Sequence, residues 1–256
     1  MIRGIYTAAV GMAIQQQRMD VVANNIANAA TNGFGRDIVV TQSFQDVLAL
    51  RVRDPGQSRL SPIIGPMSLG VFTNTVYRDF SNGMISATGS PLDLAITGSG
   101  FFEIAFTNGA GEATNMYSRN GGFTISNDGV LTTALGFPVL DTSGNEINIP
   151  PGSIAISERG EITVDGNAIA QIRIVDFEDL MTLRPFGHNL YAITAQTVEI
   201  GFQGSVLQGH IEFSNVNSVR EMVEMISLAR TYEANQQMIR MQDQTLSQAV
   251  NEIGRR

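Results

Sequence analysis

The sequence predicts an α+β fold. Long N- and C-terminal α-helices pair in a coiled-coil-like manner, and a central, mainly antiparallel β domain lies between them. Three observations predict it. Near the start, Ile5, Met12, Met19 and Ile26 recur every seven residues, with Ala8, Val22 and Ala29 at most of the offset positions. Near the end, Met225, Tyr232, Ile239, Leu246 and Ile253 repeat the pattern, with Met222, Ala229 and Val250 offset. Sustained a/d heptads mark helices that pack along a seam. From about residue 83 to 193 the hydrophobic period falls to two, as short antiparallel strands require.

Residues 2–30 read as one helix. Ala, Gln and Met favour it, Gly4 and Gly11 weaken its start, and Asn24, Asn25 and Asn28 weaken its end. Thr31-Asn32-Gly33 stops it, with Gly33 suited to a left-handed position. Ile38-Val39-Val40 reads as a strand, and Ser43 as the cap of a short helix running to Leu50. Asp54-Pro55-Gly56 breaks the chain, and Pro62, Gly65, Pro66 and Gly70 keep the following stretch open or extended. Strand signals follow at Phe101–Phe106, Phe123–Ile125, Val130–Thr132, Phe137–Leu140, Glu146–Ile149, Ile154–Ile156, Ile162–Val164, Ile172–Val175 and Tyr191–Thr194. The turns between them include Ser126-Asn127-Asp128-Gly129, Thr142-Ser143-Gly144-Asn145 and Asp165-Gly166-Asn167. Asn217 or Ser218 caps the last helix, with Glu221 three residues after Ser218. Gln236 and Asp243 fall at core-type positions of that helix, where a polar residue fixes register. The expected domains are residues 1–32 with 215–256, a β domain at 83–193, and connecting segments at 33–82 and 194–214.

Composition narrows the function. The 256 residues are 43% hydrophobic and 16% charged, enough for a real core. The net charge of -8 argues against a nucleic-acid partner, and Arg51, Arg53 and Arg59 beside Asp54 read as a solvated loop. There is no Cys, hence no disulfide, thiolate metal site or thiol nucleophile. No apolar run approaches a membrane span, and Arg3-Gly4-Ile5-Tyr6-Thr7 makes a poor secretory signal. His188 and His210 stand in no triad or metal spacing. Gly98-Ser99-Gly100 leads into a strand rather than a helix, so it is no dinucleotide loop. The expectation is a protein without enzyme activity, cofactor or metal.

The most specific residues are Ala23-Asn24-Asn25-Ile26-Ala27-Asn28 and Thr31-Asn32-Gly33-Phe34. Asn at these spacings sacrifices helix propensity and supplies amide groups along one side. Further segments follow in order: Met1–Ala9, Ser90–Ile96 with Gly98, Gly100, Phe101 and Phe102, Tyr117-Ser118-Arg119-Asn120-Gly121, Gly209–Asn217, Glu221-Met222-Val223, and Arg230–Asn235. Together they resemble the axial proteins of the bacterial flagellar rod and hook over essentially the whole chain. Length and a single β domain resemble the proximal or distal rod subunits, with Val175–Asp179 and the compact 141–170 stretch leaning to the proximal one. Gly35 stands where the family often has a basic residue, and His210 and Ile211 where it has small or aromatic ones.

The resemblance implies a structural subunit of the basal-body rod in the periplasmic space. It would polymerise into a helical tube that transmits torque and passes export substrates. The two terminal helices would form an inner domain with the β domain outside. Implied partners are copies of itself, other rod and hook axial subunits, the flagellar type III export apparatus and the surrounding ring proteins. The helical stripes Ile5, Met12, Met19, Ile26, Met225, Tyr232, Ile239, Leu246 and Ile253 would be the assembly interface, and Asn24, Asn25, Asn28, Gly33 and Phe34 the family signature. Phe44-Gln45-Asp46-Val47-Leu48 resembles the segment read by the export gate, through Phe44 and Leu48, although one turn of amphipathic helix explains the same spacing. A second function class is a soluble β-domain binding module on a helical oligomerisation stalk.

Overall fold

The computed structural model describes residues 2–45, 47–50, 63–67, 70–107 and 113–253. They form two compact units. One comprises residues 1–26, 37–77 and 218–256, the other 27–36 and 78–217.

The first unit contains α1 (Ile2–Ala27) and α2 (Ser218–Ile253). The 36 residues of α2 span about 54 Å at 1.5 Å per residue. α1 stops three residues before the expected end. The Asn28 carbonyl takes the Thr31 N–H at 3.0 Å and its side-chain oxygen takes the Thr31 hydroxyl at 3.3 Å. That local turn competes with another helical turn. α2 begins at Ser218, so of the two cap candidates Asn217 occupies the flanking position.

A ribbon of strands completes this unit. Arg36–Ser43 pairs with Val71–Asp79, and Val47–Leu50 pairs antiparallel with Ile63–Met67. The short helix expected from Ser43 to Leu50 is therefore wrong. Ser43 ends one strand and Val47–Leu50 forms another. Helical spacing of Phe44 and Val47-Leu48 is outweighed by ladder bonds, because the Phe44 N–H donates to the Gly70 carbonyl at 3.0 Å and Leu48 is in register with Pro66. Asp54-Pro55-Gly56, Pro62 and the three arginines of the loop lie outside the described residues.

The second unit is the β region. Its largest sheet has six strands in the order 184–187, 190–192, 113–118, 101–107, 174–177, 199–201, all antiparallel. Phe101 and Phe102 are neighbours on one strand, so they face opposite sides. Both are fully buried in different cores. Phe101 packs with Tyr117, Val175, Phe177, Leu183 and Tyr191. Phe102 joins Leu94, Ile96, Phe123, Leu131, Ile147 and Ile162 among others. This sheet is thus covered on both faces at its centre.

Smaller antiparallel pairings surround it. Phe123–Ile125 and Leu131–Thr133 pair across the expected tight turn, where Gly129 has φ +82° and donates to the Ser126 carbonyl at 2.9 Å. Ile154–Ile156, Glu161–Val164 and Asn167–Gln171 make a three-stranded sheet, turning at Asp165-Gly166 with both φ values positive. Leu94–Thr97 pairs with Ser205–Gln208, and Ile85–Ala87 with His210–Glu212. Residues 199–212 therefore supply three strands to this unit.

Candidate assembly interface

Within the first unit, α1 and α2 run antiparallel. Four contacts fix their alignment. A side chain on Gly4 would strike Gln242, and one on Gly11 would come within 3.2 Å of the Asn235 amide. Arg18 pairs with Glu224 at 3.3 Å, and Asn25 donates to Glu221 at 3.2 Å. Residue numbers rise along one helix as they fall along the other, with steps of seven at the glycines and at Asn25. Two glycines let the helices approach closely at one end.

The seam differs from the stripe read in the sequence. Ile5, Met12, Met19 and Ile26 are half-buried, while the deepest apolar positions of α1 are Ile14 and Val22. On α2 the half-buried and buried positions step through Glu221, Met225, Leu228, Tyr232, Asn235, Ile239, Gln242 and Leu246, in spacings of three and four. Met225, Tyr232, Ile239 and Leu246 thus lie on the shielded side. The side chain of Ile253 lies outside the described residues. The offset set is Glu221, Leu228, Asn235 and Gln242; of the expected offset residues Ala229 is half-buried, whereas Met222 and Val250 are exposed. Met222 is 50% and Val250 69% exposed. Likewise the polar residues at seam positions are Asn235 and Gln242, while Gln236 and Asp243 are exposed. A heptad alone leaves open which of two adjacent positions faces inward; the tertiary contact decides it.

Asn25 holds the base of the seam. Asn25 and Glu221 are each 1% exposed. The Asn25 amide oxygen accepts the Asp37 N–H at 2.9 Å, and its amide nitrogen donates to the Asp37 carbonyl at 2.9 Å and to Glu221. One side chain therefore satisfies the first strand's backbone and a buried carboxylate in the first turn of α2. Only an amide offers donor and acceptor in that geometry. Asn24 is exposed and Asn28 shapes the turn after α1.

The rest of the signature meets in the second unit. Gly33 has φ +65°, and its N–H donates to the Glu212 carbonyl at 2.8 Å. A Cβ there would lie 2.6 Å from the Arg119 carbonyl carbon. Arg119 Nε lies 3.1 Å from the Glu212 carboxylate. The Arg119 guanidinium also donates to the carbonyls of Phe80 and Gly98 and to the Asn82 side chain. Glu212 accepts the Gly83 N–H at 2.9 Å. Phe34 lies under the Arg78 guanidinium, 4.7 Å from its ring centroid, and Arg78 donates to the Tyr191 hydroxyl at 3.0 Å. A Cβ on Gly35 would come within 2.7 Å of the Asp79 carbonyl oxygen. Asn215 accepts from Arg36 N–H at 2.8 Å and donates to the Asp79 and Ser81 carbonyls at 3.0 Å.

Arg119, Glu212 and Asn215 were visible in the sequence only as parts of longer segments. Nothing in one sequence marks them as mutual partners. Buried polar groups need such partners.

Phe44 is half-buried, with its ring 5.1 Å from that of Phe72. The backbone of Leu48 lies in a strand, Asp46 lies outside the described residues, and so does the Leu48 side chain. Among the described residues no three metal-ligating side chains cluster, and no helix is long and apolar enough to cross a membrane.

Three family models match the chain in order. Residues 5–34 match the flagella basal body rod protein, 95–164 the flagellar hook protein FlgE/F/G D1 domain, and 207–252 the flagellar basal body rod FlgEFG protein C-terminal. The chain is 33% identical to the flagellar basal-body rod protein FlgG of Buchnera aphidicola, over 96% of its own length and 98% of that protein. It is 35% identical to FlgG of Agrobacterium fabrum, covering 96% and 97%. It is 32% identical to FlgF of Caulobacter vibrioides, covering 94% and 93%. The matched segments contain most of both terminal helices, together with Asn25, Gly33, Arg119 and Glu212–Asn215.

Proposed function

The chain belongs to the flagellar basal-body rod protein family, a structural family of the basal body, and from that premise we propose that it polymerises into the rod tube through its terminal helices. Subunits stack by a heterologous contact that propagates as a helix. The tube transmits torque and passes later export substrates through its lumen. The α1–α2 pair acts as a coiled-coil-like inner domain, with the β unit outside. The half-buried residues Ile5, Met12, Met19, Ile26, Met225, Tyr232, Ile239 and Leu246, with Ile253, serve the seam and its neighbours in the tube. The observation that carries this reading is the polar, heptad-spaced seam of the two helices beside an outer α2 surface that exposes Val219, Val223, Ile226, Met238 and Met241. A helix apolar on more than one side is suited to more than one partner.

Other rod and hook axial subunits adjoin it in the tube, and the surrounding ring proteins enclose it in the periplasmic space. The subunit reaches that place through the flagellar type III export apparatus. Phe44 and Leu48 form the segment the export gate reads. The engaged state of Phe44 against Phe72 means that reading requires the strand ribbon to be open.

The test is location. A functional, epitope-labelled subunit is expressed in a deletion strain and basal bodies are isolated. Label along the rod, with loss of rods in the unlabelled deletion, is expected. Complete rods in the deletion strain, or label absent from them, would overturn the assignment.

A further inference from the structure

Four Asn-Gly pairs occur in the sequence, and three lie among the described residues: Asn32-Gly33, Asn82-Gly83 and Asn120-Gly121. An Asn-Gly junction carries a reaction of its own. The glycine nitrogen, once it loses its proton, can attack the Asn Cγ, because glycine has no Cβ to obstruct the approach. All three junctions belong to the β unit, yet the fold treats them differently.

Two of them are closed by one residue. The Gly33 N–H donates to the Glu212 carbonyl at 2.8 Å, and the Gly83 N–H donates to the Glu212 carboxylate at 2.9 Å. Each nitrogen must give up that bond before it can lose its proton. At Gly83 the carboxylate also repels the anion that would form. Such bonds slow the step by roughly fivefold for a neutral acceptor and tenfold or more for a charged one.

The third junction is open. Among the described residues no group accepts the Gly121 N–H. Asn120 Oδ1 accepts the Gly122 N–H at 3.1 Å. That bond curls the side chain back along its own backbone, toward the Gly121 nitrogen. The same Gly122 N–H is aimed at the oxygen on which negative charge would gather during attack. Asn120 is half-buried, so part of the residue meets solvent.

We propose that Asn120 is a self-modification site, where the folded chain deamidates through a succinimide with water as co-reactant, and that Glu212 shields Asn32 and Asn82 from the same reaction. Hydroxide takes the Gly121 N–H proton, and the nitrogen forms a bond to Asn120 Cγ. The Cγ–Nδ2 bond then breaks, and Nδ2 leaves as ammonia with a proton from water, which restores the hydroxide. Water next opens the ring at either carbonyl, giving aspartate or isoaspartate. Nothing is oxidised or reduced; one water is consumed and one ammonia released. The chemistry is that of the chain alone, whatever the subunit assembles with.

The experiment incubates the full chain in mildly alkaline buffer, folded and in urea, and follows each Asn by peptide mapping that separates aspartate from isoaspartate. In urea the three sites should react at similar rates. In the folded chain Asn120 should react about fivefold or more faster than Asn32 and about tenfold or more faster than Asn82. The Asn120 product should contain isoaspartate, the mark of the cyclic route. The variant Arg119→Met/Glu212→Leu removes the Glu212 carboxylate from Gly83 and the Arg119 donor from Asn82. It keeps the main-chain carbonyl that holds Gly33. There Asn82 should accelerate by about tenfold or more while Asn32 stays slow. Asn120 as slow in the folded chain as Asn32 and Asn82, or aspartate there without isoaspartate, would overturn the site. An unchanged rate at Asn82 in a folded variant would overturn the shielding. If the variant unfolds, Asn32 and Asn82 accelerate together, and the ratio of folded to urea rates in the wild type decides: no slowing of these two by folding would overturn it.

Discussion

Arg119 and Glu212 form a buried ion pair at 3.1 Å, and each is about 5% exposed or less. The pair ties a strand end at 113–118 to the last strand at 210–212, and the backbone of both residues encloses Gly33. Three segments far apart in sequence thus share one polar knot. Its remaining donors go to the carbonyls of Phe80 and Gly98, so the charges are well satisfied despite burial.

Removing one partner should therefore be severe. Glu212→Gln or Arg119→Met should destabilise the β unit by about 3–5 kcal/mol, the loss expected when a buried charge is left alone. The double variant Arg119→Met/Glu212→Leu should lose less than the sum. Urea unfolding followed by near-ultraviolet circular dichroism would measure all of them. Additive losses would mean that the two side chains do not act as a pair.

Gly33→Ala should cost about 2 kcal/mol or more, because φ +65° strains any L side chain and the new Cβ would meet the Arg119 carbonyl. Gly136 separates the two causes. It has φ +86° with open space around it, so Gly136→Ala should cost only about 1–2 kcal/mol from backbone strain. Equal losses at the two sites in thermal unfolding would remove the steric explanation.

Glu103 predicts a pH dependence of the opposite sign to most carboxylates. It is buried, and desolvation pushes its pKa above 4.5 despite the attraction of Arg173 and a hydrogen bond from Asn115. The folded state therefore holds this proton more tightly than the unfolded one. Its contribution to stability is fully present below the unfolded value and is lost as pH rises through the raised folded value. Glu103→Gln should flatten stability against pH from about 4 upward and leave the neutral-pH value equal or higher. Denaturant midpoints across that range would check it; a variant much weaker at pH 7 would mean the Arg173 pair outweighs desolvation.

Met225→Asp and Ile239→Asp place a charge on the shielded side of α2. Each should block incorporation into rods while the β unit keeps its near-ultraviolet spectrum and its own unfolding transition. Val223→Asp, on the exposed surface of α2, should leave the isolated subunit stable within about 0.5 kcal/mol yet still hinder incorporation. Normal motility in all three strains would mean that neither side of α2 is an assembly surface.

Much of this protein was legible in its residues. Periodicity alone located both helices and most strands, because side chains alternate on strands and repeat at 3.6 on helices. Gly33, Gly129, Gly144 and Gly166 marked turns correctly, since each takes a positive φ. The Asn-rich segment announced that helix α1 ends in polar contacts. Local signals determined these features because they depend on neighbours within a turn or two. The three-dimensional fold alone decided which residues partner across distance. It replaced the expected helix at Ser43–Leu50 by paired strands, since a ladder partner at Ile63–Met67 outweighs local spacing. It kept Met225, Tyr232, Ile239 and Leu246 on the shielded side of α2 and put Asn235 and Gln242, rather than Gln236 and Asp243, beside them, because a heptad specifies a stripe but not the angle at which the opposing helix meets it. It joined Asn25 to Asp37 and Glu221, and Arg119 to Glu212, since a buried polar group is meaningful only with the partner that folding brings to it.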